Sequence, residues 1–534
     1  MIEKIRIRGY RKFRDIVVVP SDGLNILVGD NESGKSTIIE ALNLAMTGRV
    51  NGRPAIEELN PYWFNEDLVR RFFQDRADGK SSSLPEISIE IFFHDSDELQ
   101  RLVGAHNSDM PARACPGVEL AVEPNPEYAD EIETYLNAEP TAILPVEYFR
   151  VEWRTFGDRT LTAKPRELTI SQIDSRTIRS TSGIDFHMRQ ILSDHLEPKE
   201  EAAISVAYRS VKERMTKDHL GSVNQKMSEL QGALDNQQLS LAMDQSSRSS
   251  WDASVSPHVA DLPFGMAGLG QQVAVKIALA MGRSADIARV VTIEEPENHL
   301  SHTSLNKLVS RINKLKGERQ QLFATTHSSY VLNRLGLDSL LLVSDGIITK
   351  FGEIDPSTVK YFRRLPGYDT LRLVLAERVV LVEGPSDEIV FERFYRDKYG
   401  KRPIDDGIDV VSMRGLSLKR CLEVAKLLDK RCASLRDNDG EDPFELRAEL
   451  SAYLDGTRRE LFVGAVAKGK TLEPQIVDAN DESVLREVLG ITEKADVRTW
   501  MKNNKTDAAL HVADSKVTLI PPDYIAQAIE FIHD

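Results

Sequence analysis

The chain has 534 residues, 41% of them hydrophobic, which is enough for roughly two to four domains with real cores and excludes a disordered protein. A net charge of −15 excludes a generally basic nucleic-acid coat, although it permits a local basic groove beside acidic metal sites. Met1-Ile2-Glu3-Lys4 does not open a signal peptide, and no apolar run approaches the ~20 residues that span a bilayer. A cytoplasmic location with no membrane partner is therefore expected. Cys115, Cys421 and Cys432 are odd in number and form no C-x-x-C pair, so they read as reduced core thiols rather than a disulfide framework or a zinc site.

In chain order, Ile2, Ile5 and Ile7 alternate with charge, and Ile16 to Val19 follows a polar turn; both segments read as strands. The intervening Arg8 to Arg14, RGYRKFR, is either a basic and aromatic contact to nucleotide or a solvated turn. Leu24 to Val28 is an apolar run. It leads into Gly29 to Ser36, GDNESGKS, which fits G-x-x-x-x-G-K-[ST] at every fixed position and precedes a helix-like Thr37 to Met46. Strand, loop and helix in that order form a phosphate cradle, in which Gly29 and Gly34 let backbone N–H groups face a polyphosphate. Lys35 reaches the β/γ-phosphates and Ser36 ligates Mg²⁺, with Asn31, Gly34 and Thr37 completing the candidate nucleotide set. Residues 51–83 are irregular, Ile87 to Phe93 alternates as a strand, and residues 111–140 are acidic and rich in proline.

From about Thr155 to Pro263 the pattern turns helical. Leu220, Val223, Met227, Leu230 and Leu234 step by three and four, the spacing of a short seam that either pairs two protomers or packs on its own chain. Ser246 to Ser256 reads as a linker. Gly268-Leu269-Gly270-Gln271-Gln272 then heads an apolar helix, a start suited to phosphate contact from a facing subunit. Val290 to Ile293 is a buried-strand run ending in Glu294-Glu295-Pro296-Glu297. Glu294 is suited to hold Mg²⁺ and Glu295 to orient or deprotonate the attacking water. A further strand, Gln321 to Thr326, delivers His327 toward the γ-phosphate.

The sequences GDNESGKS, GLGQQ, TIEEPENHL and TTHSS, in this order, resemble the ABC-type ATPase heads of the SMC and RecF class. Two departures stand out: Glu294 occupies a place where many such heads have aspartate, and GLGQQ is not their usual signature loop. The resemblance implies ATP held between two protomers, hence a homodimer or higher oligomer.

A third pattern follows at Arg378 to Asp387, RVVLVEGPSD, where a buried strand delivers Glu383 at its end and the next helix presents Asp387 in its first turn. Cys432 to Leu435 is short and apolar and ends in Arg436-Asp437-Asn438-Asp439-Gly440; strand period places Asp437 and Asp439 on one face. Glu383, Asp437 and Asp439 resemble the acidic set of a Toprim domain. A RecF-like head followed by Toprim is the arrangement of the overcoming-lysogenization-defect (OLD) family, and LAERVVLVEGPSDEIVFERF is similar to the nuclease subunit of the Gabija phage-defence system. The resemblance implies metal ligation by Glu383, Asp387, Asp437 and Asp439, a later ligand at Glu473 in KTLE, and a catalytic lysine at Lys505 in NKTDAAL.

The expected architecture is α/β: an ABC-type head formed by 1–154 and 256–345, a helical insert at 155–255 for dimerisation, a linker at 346–375, and a Toprim nuclease domain at 376–534. The expected activity is ATP hydrolysis and double-stranded DNA cleavage with Mg²⁺ or Mn²⁺, in defence against phage or foreign DNA. The family also offers helicase-like and reverse-transcriptase-type partners. A repair clamp whose Toprim carboxylates are not catalytic is the alternative. Neither a tyrosine-bearing DNA-breakage module nor polymerising machinery accompanies the motifs, so topoisomerase and primase are disfavoured. Lys419, Arg420, Lys426, Lys430 and Arg431 form either a basic strip for DNA or a solvated face.

Overall fold

The computed structural model describes residues 1–29, 32–50, 52–138, 142–165, 167–174, 196–228, 240–246, 251, 255, 258–259, 261–268, 270–272, 274–275, 290–298, 301–315, 320–328, 331–332, 335, 339–344, 346–351, 354–364, 370–492 and 495–534. They fall into two compact units, 1–27 with 34–326 and 28–33 with 327–534.

In the first unit, β1 (Ile2–Tyr10) and β2 (Phe13–Val18) form a hairpin, β3 (Leu24–Val28) follows, and α1 (Lys35–Thr47) comes next. Further along lie β4 (Ile87–Phe93), β5 (Cys115–Pro124), β6 (Phe149–Thr155), β7 (Ile170–Asp174), α2 (Pro198–Arg214), β8 (Val290–Glu294) and β9 (Gln321–Thr325). An antiparallel sheet runs β2-β1-β4-β5, with β6 on β5. A parallel sheet runs β7-β8-β9-β3. Its strands β8 and β9 are buried throughout, as expected where both faces of a parallel sheet are covered.

Helix α1 is tied to both sheets of this unit. Trp153 Nε1 on β6 donates to Ala45 O at 2.8 Å, and Asn43 Nδ2 lies 3.5 Å from Thr292 Oγ1 on β8. Gln321 adds a direct stitch from β9 to β1, its amide exchanging hydrogen bonds with Ile2 N and Ile2 O at 2.7 and 3.0 Å.

Two differences from the sequence reading concern the segment 155–255. Strand β7 lies inside it, so the head's sheet reaches further along the chain than helical periodicity suggested. Helix α2 is solvent-facing along most of its length, with Val206 67% exposed, and a wide turn at Met215–His219 shifts the helical phase before Gly221–Ser228. In the described part of the seam Leu220 and Met227 are half-buried and Val223 is exposed. Leu230 and Leu234 lie outside the described residues.

The second unit contains the hairpin β10 (Leu340–Ser344) and β11 (Ile347–Lys350), then β12 (Arg378–Val382), α3 (Pro385–Tyr399), β13 (Ile408–Ser412), α4 (Leu418–Leu427), β14 (Arg431–Arg436), α5 (Pro443–Glu449), β15 (Arg459–Val463), α6 (Leu472–Ala479), α7 (Lys505–Asp514) and α8 (Asp523–His533). The parallel sheet order β13-β12-β14-β15 brings the ends of β12 and β14 side by side. That adjacency makes Glu383 and Asp437 neighbours. A core of Val380, Phe391, Phe394, Ala508, Ala509 and Ile529 packs α3, α7 and α8 together around the sheet.

Among the described residues no helix is long and apolar enough to cross a membrane.

Candidate functional site

The first unit presents the nucleotide residues at one sheet edge. Gly34 precedes α1 with φ +102°, a left-handed value, and a Cβ on it would come 2.4 Å from the Phe13 ring. Glycine is therefore required by conformation and by packing. Lys35 is buried, while Ser36 and Thr37 are half-buried in the first turn. In register, Glu294 on β8 stands opposite Thr325 on β9, and Thr325 opposite Leu27 on β3; buried Glu294 thus lies at the same strand end as the loop. Glu295 has φ +46°, uncommon for a residue with a side chain. Its N–H is fixed by Thr325 O and Thr325 Oγ1, both at 3.1 Å, and its Oε2 accepts from Asn298 Nδ2 at 2.6 Å. Held strain of this kind clusters at functional sites.

Arg11 in the RGYRKFR turn pairs with Glu40 of α1 at 3.0 Å, and Phe13 packs on Gly34. This turn buttresses the loop and its helix. Buried Gln272 donates to Ala267 O at 2.7 Å and so serves its own backbone, whereas Gly268 and Gln271 are exposed.

The second unit holds the remaining loop residues. A Cβ on Gly29 would lie 2.3 Å from Val343 O, and Ser33 Oγ is buried with no hydrogen-bond partner among the described residues, which suits a loop built to meet phosphate oxygens. Asn31 lies outside the described residues. His327 is exposed, just past Thr326.

In the same unit the Toprim-like residues converge. Glu383 leaves β12 and accepts the Asp437 N–H through Oε1 at 3.2 Å. Asp387, three residues into the next turn, accepts Gly384 N–H through Oδ2 at 3.0 Å. Glu473, 3% exposed at the start of α6, takes a hydrogen bond from Thr471 Oγ1 at 2.6 Å and faces Lys505 Nζ at 3.4 Å. Lys505 opens α7 and stays half exposed, so the lysine reaches in from solvent.

Burial and the neighbouring carboxylates raise the pKa values of Asp437, Asp387 and Glu383. Asp437 is pushed up to about 8, first by burial and then by Asp387, Glu383 and Glu473, with Lys505 opposing. Asp387 rises to about 6, chiefly by burial and then by Glu383 and Glu473. Glu383 is also raised, by burial first, with Asp439 adding to the effect.

Strand period does not place Asp437 and Asp439. β14 ends at Arg436, and Asp439 has φ +49° in the turn beyond. The turn is set by buried Asn438, whose Nδ2 donates to Gly464 O at 3.0 Å and Gly469 O at 2.7 Å, while its Oδ1 accepts Gly440 N–H at 2.8 Å. Asp437 faces the acid cluster and Asp439 stands exposed at its rim. The sequence reading also missed Gln475, which holds the 464–469 loop through Ala465 O and Gly469 O. Tyr524 on α8 was missed too. Burial and the charges of Asp387, Asp437, Glu473 and Glu383 raise it well above the usual phenol range, so it borders the cluster. Asparagine between two aspartates was the one available signal; Gln475 and Tyr524 had none.

Four of the five cations of the basic strip are engaged within this unit, and Lys419 is exposed. Arg420 donates to Ser357 O and lies over Tyr361, Lys426 reaches Ala452 O at 2.8 Å, Lys430 reaches Ala376 O, and Arg431 reaches Phe531 O at 2.9 Å. These cations satisfy carbonyls within the domain.

An oxygen-only donor set crowded with like charge suits Mg²⁺ or Mn²⁺ rather than zinc. Among the described residues no three acidic, His or Cys side chains stand close enough together to hold an ion. A raised carboxyl pKa means the fold holds its proton more tightly than the unfolded chain. Stability from Asp437 is thus greatest below the ordinary carboxylate range and is lost as pH rises toward about 8. In EDTA, Asp437→Asn should raise Tm by about 2 °C or more at pH 8 and by little at pH 4. Thermal melts at the two pH values check the difference, and an equal shift at both would remove the crowding account.

Two family models match the chain: "AAA domain" over residues 4–249 and "Overcoming lysogenization defect protein-like, TOPRIM domain" over residues 374–439. The chain is thus an ATPase domain joined to an OLD-like Toprim domain. That pair is the domain arrangement of the OLD family, as the sequence resemblance implied. A 48-residue stretch is 42% identical to the DNA replication and repair protein RecF of Stenotrophomonas maltophilia (strain R551-3), spanning 9% of this chain and 13% of that protein. Among solved structures, an SMC head bound to the C-winged helix domain of ScpA is 14% identical with a TM-score of 0.35, covering 65% of this chain and 96% of the other. The SMC head domain from Thermotoga maritima is 12% identical with a TM-score of 0.28, covering 65% and 97%. The nucleotide-bound recombination mediator RecF is 10% identical with a TM-score of 0.34, covering 66% and 98%.

Proposed function

We propose that the chain is an ATP-hydrolysing, divalent-metal-dependent DNA endonuclease of OLD type, acting in defence against phage or foreign DNA. The observation that carries this reading is the convergence of Glu383, Asp387, Asp437 and Glu473 around one another with Lys505 Nζ 3.4 Å from Glu473. Glu383, Asp387, Asp437, Asp439 and Glu473 are the proposed ligands of Mg²⁺ or Mn²⁺, which when bound supplies water activation and neutralises charge at the cleaved phosphodiester. Lys505, whose Nζ lies 3.4 Å from Glu473 Oε1, would offset charge that develops on the phosphate oxygens. Thr471 and Gly384 orient Glu473 and Asp387 through the hydrogen bonds given above.

In the head, Gly34, Lys35, Ser36 and Thr37 bind ATP, with Asn31 and His327 as further contacts. Ser36 and Glu294 hold its Mg²⁺, and Glu295, pre-oriented by Thr325 and Asn298, positions the attacking water. The solvent-facing α2 supports the reading of residues 155–255 as a segment that packs on a second copy. Double-stranded DNA is the proposed substrate, with a helicase-like or reverse-transcriptase-type protein as partner.

The test is cleavage of supercoiled and linear DNA by the full chain with Mg²⁺ or Mn²⁺, with and without ATP. Metal-dependent strand breakage, abolished by EDTA, is the expected result. ATP turnover with no cleavage under any of these conditions would leave a DNA-bound ATPase clamp with a non-catalytic Toprim domain.

A further inference from the structure

Arg420 and Lys426 of α4 reach backbone carbonyls, and a second candidate DNA contact lies nearer the acids. Beyond Asp439 the chain makes two local turns, Glu441 N–H to Asn438 O at 2.7 Å and Phe444 N–H to Asp442 Oδ1 at 2.8 Å, and enters α5 with Pro443 in its first turn. Helix α5 is firmly anchored. Leu446 and Leu450 are buried, and Arg447 Nε donates to Leu461 O on β15 at 2.9 Å. On that fixed support the Phe444 ring is 77% exposed. A lone exposed apolar side chain is ordinary; this one stands five positions past Asp439, at most ~17 Å away at full extension and nearer through the two turns.

Lys470 supplies an independent observation. Its carbonyl accepts Asp439 N–H at 3.2 Å, and its Nζ lies 3.1 Å from the place a Cβ on Gly440 would occupy. Gly440, at φ +98°, thus leaves room for the lysine to arch over the acidic turn. Lys468 is held by Asp523 at 2.7 Å and Lys505 by Glu473, whereas Lys470 makes no ion pair among the described residues. A cation with no carboxylate partner over Gly440, and an exposed ring four residues further along the chain, match the two surfaces of an opened nucleic-acid strand.

The geometry points to a grip on unpaired DNA: Lys470 holds a phosphate near the one cut, and Phe444 stacks on a base that has left the duplex. This rests on the nuclease reading and narrows its substrate to DNA opened at the cleavage point. Phenylalanine offers no hydrogen bond, so the contact tolerates any base, and an intact duplex hides the π-face it needs. The lysine contact is electrostatic and independent of sequence.

The experiment uses the full chain with Mg²⁺ on two labelled duplexes of the same sequence, one closed and one carrying an unpaired bubble. Wild type should have the lower KM on the bubble. Phe444→Ala should raise that KM roughly ten-fold with kcat nearly unchanged, and Phe444→Trp should restore it. Lys470→Ala should weaken binding to both duplexes and lower the slope of log K against log salt by about one. Equal KM values for the two duplexes in wild type, or an unchanged bubble KM in Phe444→Ala with wild-type circular dichroism, overturns the stacking contact; an unchanged salt slope overturns the lysine contact. Asp437→Ala is the reference. If it cuts at the wild-type rate, the acid-cluster reading falls and the grip with it; if it is inactive while Phe444→Ala matches wild type, only the grip falls.

Discussion

Asp437→Ala is expected to lower DNA cleavage at least a hundred-fold while ATP turnover stays within about two-fold of wild type. The carboxylate faces Asp387, Glu383 and Glu473, and its own N–H is fixed by Glu383. Removing it takes one oxygen donor from a set whose ions need several. Lys35, Ser36, Glu294 and Glu295 belong to the other compact unit, so the substitution leaves the residues of ATP hydrolysis intact. Parallel measurement of phosphate release and plasmid nicking on a variant with wild-type circular dichroism checks both halves. Cleavage at the wild-type rate would mean that the nuclease centre has been placed wrongly. Added Mg²⁺ should also raise Tm of the wild-type protein more than that of the variant, because a ligand stabilises only through the site it binds.

Local motifs were legible in the sequence where one short segment carried both the chemistry and the backbone that positions it. GDNESGKS announced a loop between strand and helix, and β3 and α1 flank it as expected. Glu383 was legible for the same reason, since a five-residue buried strand ends immediately before it. The D-x-D turn was legible in composition and not in geometry. Strand alternation is a rule about extended backbone, and it stops applying at Arg436, where the buried amide of Asn438 takes over. Lys505 and Glu473 are 32 positions apart in sequence, and only the family resemblance linked them. Their contact at 3.4 Å depends on where α6 and α7 pack. The partners of the basic cluster were not legible for the converse reason. Charge clustering on a helix reads as a surface, but Lys430 and Arg431 find their carbonyls at Ala376 and Phe531, partners that no local pattern indicates.

Lys35→Ala and Glu295→Gln should separate binding from hydrolysis at the nucleotide site. Lys35 begins α1 directly after Gly34 and is buried, and its ammonium is the proposed charge on the β/γ-phosphates. Its loss should reduce ATP turnover by roughly 10²–10³-fold, the scale of removing a preorganised charge from a transition state. Glu295 differs because it is held at φ +46° by Thr325 and Asn298. Glutamine preserves that shape and removes the negative charge that orients water, so Glu295→Gln should bind ATP with near wild-type affinity and hydrolyse it at least about a hundred-fold more slowly. With ATP trapped, the heads should remain engaged. Light scattering of Glu295→Gln with ATP should therefore give at least a dimer mass, whereas Lys35→Ala should give no ATP-dependent increase. A change in DNA cleavage in the trapped state would be the sign that nucleotide binding controls the nuclease reaction. Wild-type turnover in both variants would remove the ATPase assignment to these residues, and a monomeric mass for trapped Glu295→Gln would remove the proposed pairing of heads.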